Sequence, residues 1–333
     1  MHEKATTTLC LVTGAAGYVG RWLVRHLTES GYNVRAMARN SRRQEELEEM
    51  GASVVFADLR DDKSVRQAME GVTHVFHIAA LFRQAGLPDS EYTLVNVDGV
   101  RNVFEAAIEC GVKRLVHCST NGVHKVEGRE AIDEKSPFNP GDVYQRSKLE
   151  GEKLAQRFFD SGNMRGAIIR PGMIYGPGDE RFLKLFRMVA QERFFYVGKG
   201  TASTHWIDVR DLTRAFELAM FNDSSNGEAY LIAGNPPLAL NEMCTKIAEK
   251  LGVRAPWIHL PATPMLILGD LCEAICTPLN IPPPIFRRRV NFYLKSRCFN
   301  TSKAQKHLGF APAQSIDREI DDIIQSYREA GQI

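Results

Sequence analysis

Apolar residues along the chain fall into two spacings. Short β-prone runs at Leu9–Val12, Asn33–Ala38, Val54–Ala57, Thr73–Ile78 and Leu115–Cys118 read as strands. Between them, apolar residues recur at helical spacing: Trp22, Leu23 and Leu27 before Gly31, then Asp61 to Met69. A longer stretch from Ser90 to Cys110 carries Leu94, Val97, Val100, Val103, Phe104 and Ala107, and Gly111 closes it. Strands alternating with helices predict an α/β fold with a doubly wound parallel sheet. Ligands of such sheets sit beyond the carboxyl ends of the strands. From Phe182 the rhythm weakens into helices at Phe182–Gln191, Val209–Phe221 and Asn241–Leu251 with short strands between. The predicted organisation is a dinucleotide-binding domain over 1–180, with contributions from about 200–235. A smaller, mostly helical substrate-binding region covers 181–333.

The first strand runs into Thr13-Gly14-Ala15-Ala16-Gly17-Tyr18-Val19-Gly20, and a helix follows. The first N–H groups of a helix have no intrahelical acceptor and lie at its positive end, so an anion docks there. Gly14 suits a tight turn, Gly17 a close backbone approach to a pyrophosphate, and Gly20 close packing of helix on sheet. With a strand before it and a helix after it, the triplet points to a dinucleotide.

Just past the second strand, an NAD-preferring fold usually carries an acidic residue for the ribose 2′-hydroxyl. Here Arg39 stands in that place, followed by Asn40, Ser41, Arg42 and Arg43. A carboxylate would repel a 2′-phosphate, whereas a guanidinium grips it with paired hydrogen bonds. NADP(H) is therefore expected over NAD(H). The bland reading is that Arg42 and Arg43 begin a charged surface helix, pairing with Glu45, Glu46, Glu48 and Glu49.

Composition narrows the class without changing this picture. Hydrophobic content of 44%, charged content of 25% and a net charge of +2 describe an ordinary globular chain with no case for nucleic acid. The seven cysteines lack a Cys-x-x-Cys pair and read as reduced thiols of a cytoplasmic protein. No histidine spacing suggests a metal, and no signal peptide precedes the first strand.

Candidate chemistry enters with Asp142-Val143-Tyr144-Gln145-Arg146-Ser147-Lys148, which opens a helix through Phe159. Tyr144 and Lys148 are one turn apart on one face. A phenol titrates near pH 10, and a neighbouring ammonium is expected to lower that value. The pair can then pass a proton to or from an alcohol or carbonyl oxygen.

The chain resembles an extended short-chain dehydrogenase/reductase. The resemblance rests on the glycine turn, Asp58-Leu59, Ser119-Thr120 after the fifth strand, Tyr144-x-x-x-Lys148 and Arg170-Pro171-Gly172-x-x-Tyr175-Gly176-Pro177-Gly178. It runs from Leu9 to about Gly234. By that resemblance Tyr144 is the general acid/base, and Lys148 holds the nicotinamide ribose. Thr120, or Ser119 beside it, orients the substrate oxygen. The cofactor set is Gly14, Gly17, Tyr18, Val19, Gly20, Arg39, Asp58, Leu59, Ala79, Ala80, Tyr144, Lys148 and Pro171. Asn96 matches an asparagine that braces the strands near the active site. His124-Lys125 stands where relatives often have Tyr-Gly, which counts against a sugar nucleotide. A homodimer through the helices Ser90–Cys110 and Asp142–Phe159 is also implied.

The second half carries an apolar run, Met265 to Cys276, bracketed by Pro261, Pro264, Pro278, Pro282, Pro283 and Pro284 and followed by Arg287-Arg288-Arg289. Asp270 and Glu273 interrupt it, which argues against a transmembrane span. Two readings compete: a core helix plus a solvated basic turn, or an apolar lid over a hydrophobic substrate that touches a membrane surface through the arginines. The expected enzyme moves a hydride between nicotinamide and a carbonyl or secondary alcohol of a sterol-, flavonoid- or lipid-like substrate. It most resembles the 3β-hydroxysteroid dehydrogenase and dihydroflavonol-reductase-like group. Alternatives are a nucleotide-sugar epimerase/dehydratase with tightly bound NAD, and a non-catalytic NADP-binding sensor.

Overall fold

The computed structural model describes residues 8–333 except 85, 125–130, 235, 277–280, 282–286, 288, 289 and 291–293. Lys125, Pro278, Pro282–Pro284, Arg288 and Arg289 therefore lie outside the described residues. Six strands, β1 (Leu9–Thr13), β2 (Asn33–Ala38), β3 (Ser53–Phe56), β4 (His74–His77), β5 (Arg114–Cys118) and β6 (Gly166–Pro171), join an edge strand Glu228–Ile232 in one parallel sheet. Its order is edge strand, β6, β5, β4, β1, β2, β3. The order reverses between β1 and β4, so a crevice opens at their carboxyl ends.

The described helices include α1 (Tyr18–Glu29), α2 (Gln44–Glu49), α3 (Asp62–Ala68), α4 (Asp89–Thr93), α5 (Gly99–Glu109), α6 (Val143–Asp160), α7 (Glu180–Ala190), α8 (Val209–Phe221), α9 (Leu240–Leu251) and α10 (Ala262–Cys276), and two layers of them cover the faces of the sheet. One layer packs α1 and α8 on the sheet through Leu23, Leu27, Leu212 and Phe216. The other packs α3, α5 and α6 through Val65, Phe104, Leu154 and Phe159. Ala304 and Leu308 of the helix Ser302–Leu308, with Phe310, return to the α1/α8 layer. A separate core joins α7, α9 and the C-terminal helix Ile316–Glu329 around Tyr175, Phe186, Trp206, Ile247 and Ile323.

The helix predicted from Ser90 to Cys110 is broken. A π turn at Leu94–Asp98 separates α4 from α5. Gly151 of α6 explains the break, because a Cβ there would lie 2.2 Å from the Asn96 carbonyl oxygen. The wider turn carries the Asn96 backbone against α6, and the glycine makes room for it.

The reading of Met265–Cys276 as a core helix is corrected. Only Gly269 of α10 is buried, while Ile267, Leu268, Leu271 and Ile275 are 42–63% exposed. Nothing among the described residues covers this apolar surface. Arg287 is ion-paired to Asp270, so it is not an unpaired cation beside that helix. No helix among the described residues is long and apolar enough to cross a membrane.

Helix α6 is tied to β6 by a buried ion pair. Arg170 Nη2 lies 2.6 Å from Glu152 Oε1, and both side chains are at most 6% exposed. Removing one partner leaves a buried charge uncompensated. Glu152→Ala is expected to cost about 3–5 kcal/mol of stability, read from denaturant unfolding midpoints. A loss below about 1 kcal/mol would show that the pair does not hold α6.

Candidate active site

The crevice is built from the tips of β1 and β4. Thr13 Oγ1 accepts from the Ile78 and Ala79 N–H groups at 3.1 and 3.2 Å and lies 2.9 Å from His77 Nδ1. The hydroxyl's single proton is then left for Nδ1, which places the imidazole proton on Nε2. Burial supports that neutral form by pushing the His77 pKa down to about 3. This staple brings the two tips together so closely that a Cβ on Gly14 would meet Ala79 Cα at 2.8 Å. Gly14 also has φ +70°, which favours glycine. A Cβ on Gly20 would lie 2.2 Å from the Gly14 carbonyl, so α1 must begin without a side chain there.

The start of α1 differs from its neighbours. Helices α6, α7 and α8 open on Asp142, Asp179 and Asp208, whose carboxylates accept backbone N–H groups. Helix α1 opens on Gly17 with no side-chain cap and no acidic residue in its first turn. Its positive end is left uncompensated, with the N–H groups of Tyr18 and Val19 at the first helical positions. The Tyr18 phenol turns away to the Pro177 carbonyl at 3.3 Å, under the Arg181 guanidinium.

At the far tips, Arg39 follows β2 and is exposed. It makes no hydrogen bond or ion pair among the described residues. Arg43 instead pairs with Glu46 at 2.6 Å, and Arg21 shares that carboxylate at 2.9 Å. Asp58, beyond β3, is gripped by Arg60 through Nε at 3.0 Å and Nη2 at 2.7 Å. These hydrogen bonds hold the Asp58 carboxyl below its ordinary range, and the charge of Arg39 adds to the effect. Leu59 is buried against Gly99. Ala79 is half-buried and Ala80 exposed beyond β4, while Pro171 closes β6 opposite Ile232.

Tyr144, Lys148 and Glu152 share one face of α6. Lys148 is 2% exposed and donates from Nζ to the Cys118 carbonyl at 2.7 Å, which draws the helix to the end of β5. Thr120 is half-buried, and its Oγ1 accepts from Gly122 N at 3.1 Å. Ser119 is 3% exposed, and its Oγ has no hydrogen-bond partner among the described residues. Successive strand residues face opposite sides. Of the two hydroxyls, Thr120 is the accessible one. His124 holds the following loop: Nδ1 donates to the Ser136 carbonyl at 2.9 Å, and Nε2 accepts from Arg170 Nη1 at 3.0 Å. Burial, and then the charge of Arg170, keep that imidazole neutral.

One expectation is overturned. In this chain taken alone the Tyr144 pKa is raised rather than lowered. Burial pushes the phenol well above its ordinary value, while Arg83 and Arg181 pull it down. Burial also pushes Lys148 down, and its ammonium is committed to the Cys118 carbonyl.

The chain as a whole is similar to known proteins. The pattern of the NAD dependent epimerase/dehydratase family matches residues 10–233. The chain belongs to that family. It is 30% identical to a 3beta-hydroxysteroid-dehydrogenase/decarboxylase (isoform 1) of Arabidopsis thaliana, over 98% of this chain and 81% of that protein. It is 30% identical to a 2-alkyl-3-oxoalkanoate reductase of Stenotrophomonas maltophilia, over 93% and 96%. The solved structure of gox2253 superposes with a TM-score of 0.83 at 26% identity, covering 98% of this chain and 99% of that one. This epimerase/dehydratase family member is thus an enzyme of the short-chain dehydrogenase/reductase type. Its uncapped α1 terminus and the glycine cradle fit the pyrophosphate of a nicotinamide dinucleotide.

Three residues of this family member that sequence patterns did not single out stand at Tyr144. Phe82 packs edge-on at 5.0 Å, and the Arg83 guanidinium lies 4.9 Å from the ring centre. Arg181 acts on the phenol through its charge. Phe82 and Arg83 occupy an irregular stretch after β4, where no periodicity marks a site. Asn96 does not brace strands. It braces that stretch to α6, accepting from Leu81 N at 2.7 Å and reaching Ser147 Oγ at 2.9 Å.

The raised Tyr144 pKa has a spectroscopic consequence. In the cofactor-free protein, absorbance near 295 nm between pH 8 and 10.5 is expected to be the same in wild type and Tyr144→Phe. An extra tyrosinate in wild type with a midpoint below about 10 would show that burial does not dominate at this phenol.

Proposed function

We propose that this enzyme moves a hydride between NADP(H) and the carbonyl or secondary alcohol carbon of a hydrophobic substrate, with Tyr144 exchanging the proton. The observation that carries this reading is the buried phenol of Tyr144 on α6, the helix that Lys148 ties to the end of β5, where the half-buried hydroxyl of Thr120 follows. Such a phenol is a proton donor, and two hydroxyls can hold one substrate oxygen. The bound nicotinamide would supply or accept the hydride at its C4. Lys148 has two N–H donors beyond the one given to Cys118, and these would hold the ribose hydroxyls. Gly14, Gly17, Gly20 and the N–H groups of Tyr18 and Val19 would take the pyrophosphate. Asp58, Leu59, Ala79, Ala80 and Pro171 would line the rest of the cofactor's path.

Arg39 supports the choice of NADP(H). Among the described residues neither Arg39 nor Arg42 has a carboxylate partner, whereas Arg43 pairs with Glu46, and Arg39 is the one at the strand end, with no acidic side chain directly after β2. The hydrophobic substrate is supported by the uncovered apolar side chains of α10, and the two relatives named above act on a hydroxysteroid and an alkyl oxoalkanoate.

Two measurements test this function. NADPH is expected to bind at least about tenfold more tightly than NADH, and Arg39→Ala is expected to remove most of that difference. Equal binding of the two cofactors, or purification with tightly held NAD, would move the reading to an epimerase or an NAD-dependent dehydrogenase. In turnover of hydrophobic ketones, Tyr144→Phe is expected to lower kcat/KM by about 10²–10⁴-fold. Cofactor binding with no turnover on any ketone or alcohol would instead favour a sensor.

A further inference from the structure

The stretch after β4 is irregular but firmly held. Asn96 clamps Leu81 from one side, accepting from its N–H at 2.7 Å and donating to its carbonyl at 3.1 Å. The Tyr92 hydroxyl clamps Gln84 from the other side, accepting from its N–H at 2.8 Å and donating to its carbonyl at 3.1 Å. Arg83 sits between these clamps. Its guanidinium lies 4.9 Å from the Tyr144 ring centre, 5.3 Å from that of Phe82, and its Nε donates to Asp142 Oδ2 at 2.9 Å.

Other arginines near the site give terminal nitrogens to acceptors within the chain. Arg181 gives Nε and Nη2 to Asp179 and Nη2 also to the Ile174 carbonyl. Arg170 gives its nitrogens to Glu152, His124 and the Glu134 carbonyl. Arg83 differs. Its two terminal nitrogens make no hydrogen bond among the described residues, and a third of the side chain, 33%, is exposed. A guanidinium presents these nitrogens as a planar fork that matches a carboxylate with two parallel hydrogen bonds.

We propose that Arg83 anchors a carboxylate of the substrate, so that the enzyme acts on hydrophobic oxo acids or the matching hydroxy acids. This rests on the reading of Tyr144 as the acid/base. A charge-assisted hydrogen bond spans about 2.8 Å. With the reacting oxygen at Tyr144 and the anion on Arg83 against the same ring, the carboxylate lies on the same side of the substrate as the reacting carbon. A sugar nucleotide carries its diphosphate farther from the reacting carbon and fits this placement less well.

The test compares wild type, Arg83→Gln and Arg83→Lys on 3-oxodecanoate and its methyl ester with NADPH. Calorimetric titration of decanoate and decan-1-ol into each protein runs beside it. The acid-to-ester ratio of kcat/KM is expected to fall about 10- to 100-fold in Arg83→Gln. Decanoate affinity is expected to fall by a similar factor relative to decan-1-ol. Arg83→Lys should recover part of each, because a point charge replaces the fork. If Arg83 only positions Tyr144, both substrates slow alike and the ratio stays the same, which overturns the proposal. If wild type reduces neither substrate, the reductase reading fails. The titration still decides the anchor: decanoate binding lost in Arg83→Gln supports it, and equal binding overturns it. Arg83-dependent binding of UDP-glucose without binding of decanoate also overturns it, in favour of a diphosphate.

Discussion

The contact between Gly14 and Ala79 governs the rest of the site. Two parallel strands whose order reverses must diverge beyond their tips, and the crevice between them is only as regular as their closest approach. Here the Thr13 hydroxyl sets that approach by taking two N–H groups of the β4 end. The contact leaves no room for a side chain at position 14. With β1 and β4 pinned, the start of α1 and the stretch leading to Arg83 leave the same point in opposite directions. One leads to an uncapped helix terminus that would take a pyrophosphate, and the other presents a guanidinium to Tyr144.

Helix α6 is the second fixed body, and buried polar contacts fix it beside the apolar packing of Leu154 and Phe159. Lys148 reaches the Cys118 carbonyl, Glu152 reaches Arg170, and Ser147 reaches Asn96. Each contact is at or near full burial, where an unmatched polar group is costly. The phenol of Tyr144 is carried on this helix and shares its burial, so it is neutral in the chain alone. That neutrality is compatible with the expected role, since a proton donor must hold its proton until the substrate oxygen arrives.

Helix α10 follows a different logic. Its residues are mostly apolar, interrupted by Asp270 and Glu273, and that composition suits either a buried helix or a surface kept for an apolar partner. Packing within the chain settles that it is not a buried helix. The core that joins α7, α9 and the C-terminal helix closes without it. What remains is an exposed run of Ile267, Leu268, Leu271 and Ile275.

The alternation of apolar runs and helical spacings was enough to determine a parallel, doubly wound sheet, because both periods are local properties of the backbone. The glycine turn and Tyr144-x-x-x-Lys148 were legible for the same reason: each is a short-range pattern within one turn or one helix. The break at Leu94–Asp98 was not legible, because it depends on Gly151 of a distant helix admitting the Asn96 backbone. Nor was the neutral state of Tyr144, since a local reading saw the ammonium one turn away but not the burial that outweighs it. Arg83 was hidden most deeply. No periodicity marks Leu81-Phe82-Arg83-Gln84, and only Asn96 and Tyr92, folding back from the next helical segment, place that guanidinium on the Tyr144 ring. Local pattern determines elements, whereas burial and side chains from remote segments decide which groups meet and in what charge state.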